Sequence, residues 1–339
     1  MTSAGSRPLL FNPLPVALAH YEDALAAGLE AGGVGTDRVR APFESGGLSR
    51  VARLRVLRTA VAGLWSALRH PGTVVVLWPV LGLLDVPVWR LLSPRGARRL
   101  VVVHDPVPLR PQRGCGRLAT WLAGRVARDG RIEVVTHTAL ARDALARRGL
   151  PVSWVLPHPV LPRRAPRRFD SGRPVVLVAG QYKPSRDTAL LRDLGAASTA
   201  LDLRIVGRGW PEIPGWTVEE RFVSEAELDA AMAAAGAVLV PYRYYFQSGI
   251  AARACELGVP VVARRHEFIA SLYGAGWPGF VEEPAGDVRG WVRALERTLG
   301  ATPPGPGDVA ARAGRAWAAA LTGPPPVRSA AGGGRGRAA

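Results

Sequence analysis

Residues 247–250, Gln-Ser-Gly-Ile, stand where a polar loop turns into a helix, between the apolar runs 237–240 and 259–262. In a parallel sheet, such a strand–loop–helix–strand unit puts the helix N-terminus at the carboxyl edge of the strands, where ligands bind. The first helical N–H groups have no internal partner, and a glycine lets a ligand come close to the backbone. Gln247, Ser248, Gly249 and Ile250 therefore make a candidate anion site with phosphate as its natural occupant, alongside the plainer reading of an N-cap and a permissive turn. A second group follows the run 175–179 as Gly180-Gln-Tyr-Lys183-Pro-Ser-Arg186. A lysine and an arginine after a strand-end glycine are placed to neutralise a diphosphate in the same crevice. Lys183 is the only lysine among 44 basic residues. Gly207 and Gly209 form a weaker glycine turn after a third run, and Tyr242 follows the run 237–240.

The elements needed to hold these residues are legible as alternating short apolar runs and helical patterns. In the first half, strands are expected at 9–12, 73–78, 100–104, 132–136 and 153–156. Helices are expected at 19–31, 50–69, 118–128 and 139–148. A charged, proline-bearing link at 161–168 reads as a hinge, and the pattern restarts with strands at 175–179, 203–206, 237–240 and 259–262. Helices at 188–197, 225–235, 249–257 and 287–299 interleave with them. This alternation predicts parallel sheets covered on both faces, hence an α/β chain of two doubly wound, Rossmann-like domains facing across a cleft. The expected division is 1–165 and 166–305, with a C-terminal helix at 306–321. The Gly-, Pro-, Ala- and Arg-rich tail 322–339 is expected to be disordered.

The 339 residues are 48% apolar, which suits a soluble globular protein, and the formal net charge is +17. Residues 1–165 hold 23 basic and 10 acidic residues, whereas 166–339 hold 21 and 17. A basic first half points to an anionic partner surface: membrane phospholipid, an acidic acceptor or nucleic acid. The basic residues form no recognition-helix motif, which argues against sequence-specific nucleic-acid binding. The longest apolar stretch, 73–92, is broken by Pro79, Asp85 and Pro87 and reads as strand plus helix. With no secretory pattern at the start and only Cys115 and Cys255, the expected setting is the cytoplasm, with the inner face of the membrane open to it.

Taken motif by motif, the second half resembles the donor-binding domain of GT-B glycosyltransferases of the group-1, family-4-like set. Gly180 to Lys183 is similar to the family's first phosphate loop, Leu203-Arg-Ile-Val-Gly207 to its L-x-I-x-G strand, and Gly258-Val-Pro-Val-Val262 to its G-x-P-V-V strand. In the first half, Val102-Val-His104-Asp105 resembles the family's x-x-H-D strand end, and the likeness covers roughly residues 8–300. It implies transfer of a sugar from a nucleotide-diphosphate sugar to a hydroxyl acceptor of a glycan, lipid-linked or small-molecule kind. One departure stands out. Retaining members carry two glutamates eight residues apart, and those positions here are Tyr245 and Arg253. Arg253 reads as a phosphate contact or, more readily, as a solvated side chain.

The resemblance also implies roles. Lys183, Arg186 and the amides near residues 248–250 would hold the leaving diphosphate, so that neither a metal nor a cofactor is required. Gly180, Gly207, Tyr242, Gln247, Ser248, Gly249 and Ile250 complete the donor side. On the acceptor side a base is needed, with His104 and Asp105 as one candidate pair and His20, near Glu22, as the other. His70, His137, His158 and His266 read as structural, and Gln112 and Arg113 as part of an acceptor loop. A nucleotide-sugar 2-epimerase of the same fold and a non-catalytic GT-B-like anion-binding protein remain as alternatives.

Overall fold

The computed structural model describes residues 7–43, 49–107, 114–163, 172–282 and 287–324. The expected acceptor loop at 112–113 lies outside them, as do most of the 161–168 link and the tail from 325. The first half forms one six-stranded parallel sheet from β1 (Leu9–Asn12), β2 (Asp37–Arg40), β3 (Val74–Val76), β4 (Arg99–Val102), β5 (Ile132–Thr136) and β6 (Trp154–Val155), ordered β2-β1-β3-β4-β5-β6. The second half forms another from β7 (Val175–Ala179), β8 (Asp202–Val206), β9 (Thr217–Glu219), β10 (Ala237–Val240), β11 (Val261–Arg264) and β12 (Phe280–Val281), ordered β12-β11-β10-β7-β8-β9. Each half is thus doubly wound around its own core, as the alternation predicts.

The period of two along each strand assigns its side chains to opposite layers. On the first sheet, Phe11, Val76, Val101 and Val134 face the layer of α2 (Arg50–Arg69), α3 (Asp85–Leu92), α4 (Arg117–Ala127) and α5 (Ala139–Arg147). Their neighbours Leu10, Val75, Leu100 and Val135 face α1 (Ala19–Ala31) and the C-terminal helix. On the second sheet, Leu177, Val238 and Val261 pack on α7 (Glu225–Ala234), α8 (Gly249–Glu256) and α9 (Glu267–Tyr273). Val176, Leu239 and Val262 pack on α6 (Thr188–Ala197) and α10 (Val288–Leu299).

The chain passes from the first sheet to the second between β6 and β7, and it returns after α10. Helix α11 (Pro306–Thr322) docks on α1 of the first half. The two helices approach so closely that a Cβ on Gly314 would lie 2.4 Å from the Gly28 carbonyl oxygen. The Trp317 indole donates to Pro157 O at 2.9 Å, and Arg98 donates to Leu321 O at 3.0 Å. Strands β2, β9 and β12 and helix α9 are additions to the expected element set. The first two are edge strands with mostly polar side chains, so they carry no apolar run; β12 has two residues and α9 seven.

Candidate functional site

Between the two sheets lies a cleft of about 690 Å³ onto which His20, Asp105, Gly180, Lys183, Arg186, Tyr242, Gln247, Ser248, Gly249 and Ile250 all open. His104 and Gly207 are the two expected site residues that do not line it. Gly207, at φ +148°, sits behind Gly180, and a Cβ on it would meet the Gly180 carbonyl oxygen at 2.4 Å. Its lack of a side chain lets the ends of β7 and β8 close on each other.

The floor of the cleft is the start of α8. Ser248 caps it, its hydroxyl oxygen accepting from Ala251 N at 3.2 Å, and Ala252 N donates to Ser248 O at 3.0 Å. The amides of Gly249 and Ile250 precede these bonds and face the cleft end of the helix. A Cβ built on Gly249 would meet nothing within 4 Å, so the protein's own packing does not demand glycine there. The space belongs to the cleft.

Arg186 stands beside this terminus. Its loop is pinned to the β10 exit by an isolated bridge between Arg186 and Tyr242 and by Asp187 N donating to Pro241 O at 2.7 Å. The guanidinium lies 4.0 Å from the Tyr242 ring centroid, a cation–π contact, and is 6% exposed. Burial lowers its pKa, and Tyr242 offsets part of that. No carboxylate pairs with it among the described residues, since neighbouring Asp187 is taken by Arg243 at 3.0 Å and Arg264 at 3.1 Å. Four buried side-chain polar atoms among the described residues lack a hydrogen-bond partner, and three of them, Arg186 Nη1, Tyr245 Oη and Gln247 Oε1, belong to cleft residues. Buried polar atoms are rarely left unpaired, so these three are the cleft's candidate partners for a ligand. Lys183 is exposed at the rim.

Two residues depart from expectation. Arg253 is neither solvated nor free for phosphate: it is 7% exposed and ion-paired to Asp229 and Glu225 of α7. Burial alone would lower its pKa, but those two carboxylates raise it. His20 bonds Glu256 Oε2 through Nε2 at 2.6 Å, while Arg163 Nη2 lies 2.9 Å from its Nδ1. Because the guanidinium can only donate, Nδ1 accepts and Nε2–H donates, which leaves His20 no lone pair for an incoming proton. Glu256 also accepts from Leu161 N at 2.8 Å, and Arg163 pairs with Asp229. The His20 contact is an interdomain tie. The other residue of that pair, Glu22, is fully buried and bonded to Asn12 and Arg40.

The opposite side of the cleft is built on the end of β4. His104 Nε2 lies 2.9 Å from Leu77 O, a hydrogen bond in which the ring N–H donates. The ring stacks on Trp78 and meets Tyr21 edge-on. Burial lowers its pKa, opposed by the Leu77 carbonyl, Gln247 and Asp105, so at neutral pH it is an uncharged imidazole beside Gln247. Asp105 is exposed in the main cleft and also borders a smaller cavity of about 300 Å³ lined by Trp78, Val80, Leu83, His104 and Cys115. His137 and His158 complete a cluster with His104 and Tyr21, with Tyr21 Oη 3.1 Å from His137 Nε2. Burial is the first cause that drives His137 well below the imidazole range and His158 down to about 3. His266 caps α9 and stacks on Tyr245. Among the described residues, no group of three or more His, Cys, Asp or Glu is arranged to hold a metal ion.

No protein-family profile and no curated protein sequence matches the chain. Solved structures do. The chain is similar to sucrose-phosphate synthase from Thermosynechococcus elongatus, with a TM-score of 0.57, 15% identity, and coverage of 93% of this chain and 94% of that one. It is similar to HepE from Anabaena, solved in complex with UDP and glucose, with a TM-score of 0.55, 13% identity, and 93% and 95% coverage. It is also similar to TarM, with a TM-score of 0.52 and 13% identity over 74% of this chain, and it spans about half (51%) of TarM's length. These neighbours are GT-B glycosyltransferases, and the two six-stranded parallel sheets with their interleaved helices follow the same plan. The chain has the GT-B fold.

Proposed function

We propose that the chain is a glycosyltransferase that moves a sugar from a nucleoside-diphosphate sugar to an acceptor hydroxyl. The observation that carries this reading is Arg186: a buried guanidinium with no carboxylate partner and with Nη1 unbonded, set beside the cleft-facing start of α8. A buried cation of this kind, held between an aromatic ring and a helix N-terminus, is complementary to a diphosphate. HepE, of the same fold, was solved with UDP and glucose.

In this mechanism the acceptor lies over the smaller cavity and presents its hydroxyl to the main cleft. Asp105 takes the hydroxyl proton, the oxygen bonds to the sugar's anomeric carbon, and the bond from that carbon to the diphosphate breaks, its electron pair leaving with the phosphate. The negative charge so released is met by Arg186, by the Gly249 and Ile250 amides, by the Ser248 hydroxyl and by Lys183 at the rim, with no metal in the scheme. His104, neutral and next to Gln247, orients the donor edge rather than accepting the proton. His20 holds the domains together.

The test is incubation with UDP-, GDP- and ADP-sugars while nucleoside diphosphate release is followed. Release with sugar transfer or hydrolysis supports the proposal. Exchange at sugar C2 without release identifies an epimerase, and tight nucleotide binding with neither identifies a binding protein.

A further inference from the structure

Helix α2 is apolar on two sides, and the fold uses only one of them. Ala60, Leu64, Ala67 and Leu68 face the first sheet, packed with Val39 and Phe43. On the outside, Val51, Leu54, Leu57, Val61 and Trp65 recur every three or four residues and are each 51–65% exposed, a stripe that the core does not need. Arg55, Arg58 and Arg69 are exposed on the same helix, with Arg69 4.3 Å from the Trp65 ring centroid, and residues 50–69 contain no acidic residue. The apolar surface continues on the neighbouring helices of this layer, where Leu91 of α3 and Leu118 and Trp121 of α4 are also more than half exposed.

The charge of the first half is sorted in the same way. From Arg50 to Arg131 there are 15 arginines and three acids, Asp85, Asp105 and Asp129. Asp129 is paired with Arg90, Arg98 is taken by Glu133 and Arg99 is buried, which leaves Arg55, Arg58, Arg69, Arg117, Arg125 and Arg128 exposed on this layer. Asp85 is buried, its carboxylate accepting from the amides of Val80 and Leu81, and Asp105 faces the cleft. The α2–α4 face therefore combines exposed Leu, Val and Trp with arginine and almost no negative charge, which is the chemistry of a surface that lies in a bilayer interface. No helix among the described residues is long and apolar enough to cross a membrane, so such contact is interfacial.

We infer that the α2–α4 face docks on an anionic phospholipid surface, with the α2 stripe entering the headgroup region and its arginines meeting lipid phosphate. The inference stands independently of the proposed transfer activity. The test is co-sedimentation of the full chain with phosphatidylglycerol–phosphatidylcholine vesicles and with phosphatidylcholine vesicles alone. Expected are at least tenfold tighter partition onto the anionic vesicles and weakening of that partition as salt is raised. Leu54→Ser with Trp65→Ser should reduce partition tenfold or more, and Arg55→Ala with Arg58→Ala should remove the preference for anionic lipid. Each variant is checked by thermal melting, so that loss of fold is recognised as such. Failure of the full chain to sediment, or equal sedimentation of the folded variants, overturns the inference. So does a concentration-dependent dimer abolished by Trp65→Ser, which would make a second copy the occupant.

Discussion

Helices α5 and α8 each follow a strand of their own sheet and open at its carboxyl edge, and each is capped by a hydroxyl side chain. At α5 the site is filled by the protein itself: Glu267 of the other half accepts from Ala139 N at 2.6 Å and Leu140 N at 2.9 Å, below the Thr138 cap. At α8 the equivalent amides, of Gly249 and Ile250, look onto the cleft, and the side chain beside them is a buried arginine instead of a carboxylate. One terminus shows within this molecule how an anion sits on such amides. The other has the same donors, an extra buried positive charge and no internal occupant. The larger bulk charge lies in the first half, yet its buried cation without a carboxylate, Arg99, is bonded to Ser93 and to the carbonyls of Leu68, His70, Gly72 and Arg98, whereas Arg186 in the second half keeps Nη1 without a partner. Net charge describes a surface; a site is made by burial without a partner.

The contrast can be attacked in order of expected effect. Asp105→Asn touches neither terminus and should lower turnover by about 10²–10⁴-fold, the usual reach of a general base, with UDP affinity unchanged; near-normal turnover moves the base elsewhere. Arg186→Met removes the charge that distinguishes α8, and UDP affinity measured by calorimetry should fall by about 2–3 kcal/mol, roughly 30–150-fold. An unchanged Kd would show that the open terminus holds no diphosphate.

The first half should instead reveal itself through acid. Its buried imidazoles are kept neutral, so below about pH 6.5 the unfolded chain binds protons that the folded chain refuses, and stability falls as pH falls. With His158 held down to about 3, that residue alone removes about 2 kcal/mol between pH 6.5 and pH 5. The melting midpoint should drop over this range, and His158→Gln should flatten the slope; a parallel slope would place the acid sensitivity elsewhere.

Glu267→Gln weakens the filled terminus and should cost about 0.5–1 kcal/mol of stability by chemical denaturation, since the carboxylate is exposed. If it costs nothing, the α5 terminus is a poor gauge for α8. The smallest effect is expected from Lys183→Ala, about threefold in UDP affinity, because an exposed ammonium at the rim is screened.

Much of the site was legible because it rests on local signals. The glycine turn at 180 and the Ser-Gly helix start at 248 are placed by strand ends and caps, which the neighbouring residues dictate. What escaped sequence reading depended on distant partners. Arg253 is buried because α7 presents Glu225 and Asp229 opposite it, 28 and 24 residues earlier. His20 is tied up by Glu256, 236 residues away, and by Arg163, 143 residues away. Edge strand β2, Asp-Arg-Val-Arg, is mostly exposed, and its pairing with β1 is set by the backbone ladder. Helix α9, seven residues long, ends at Gly274 with φ +91° and is too short for a periodic signal.

The return of α11 to the first half has a mechanical consequence. The two halves are joined by two stretches of chain, one leaving after β6 and one coming back before α11, and the second is anchored where Gly314 nests on Gly28. Two bodies linked by a single cord can spin about it; linked by two, they can only swing about the line through both. The second connection, held where Gly314 nests on Gly28, removes a freedom of rotation that a single link would leave between the halves.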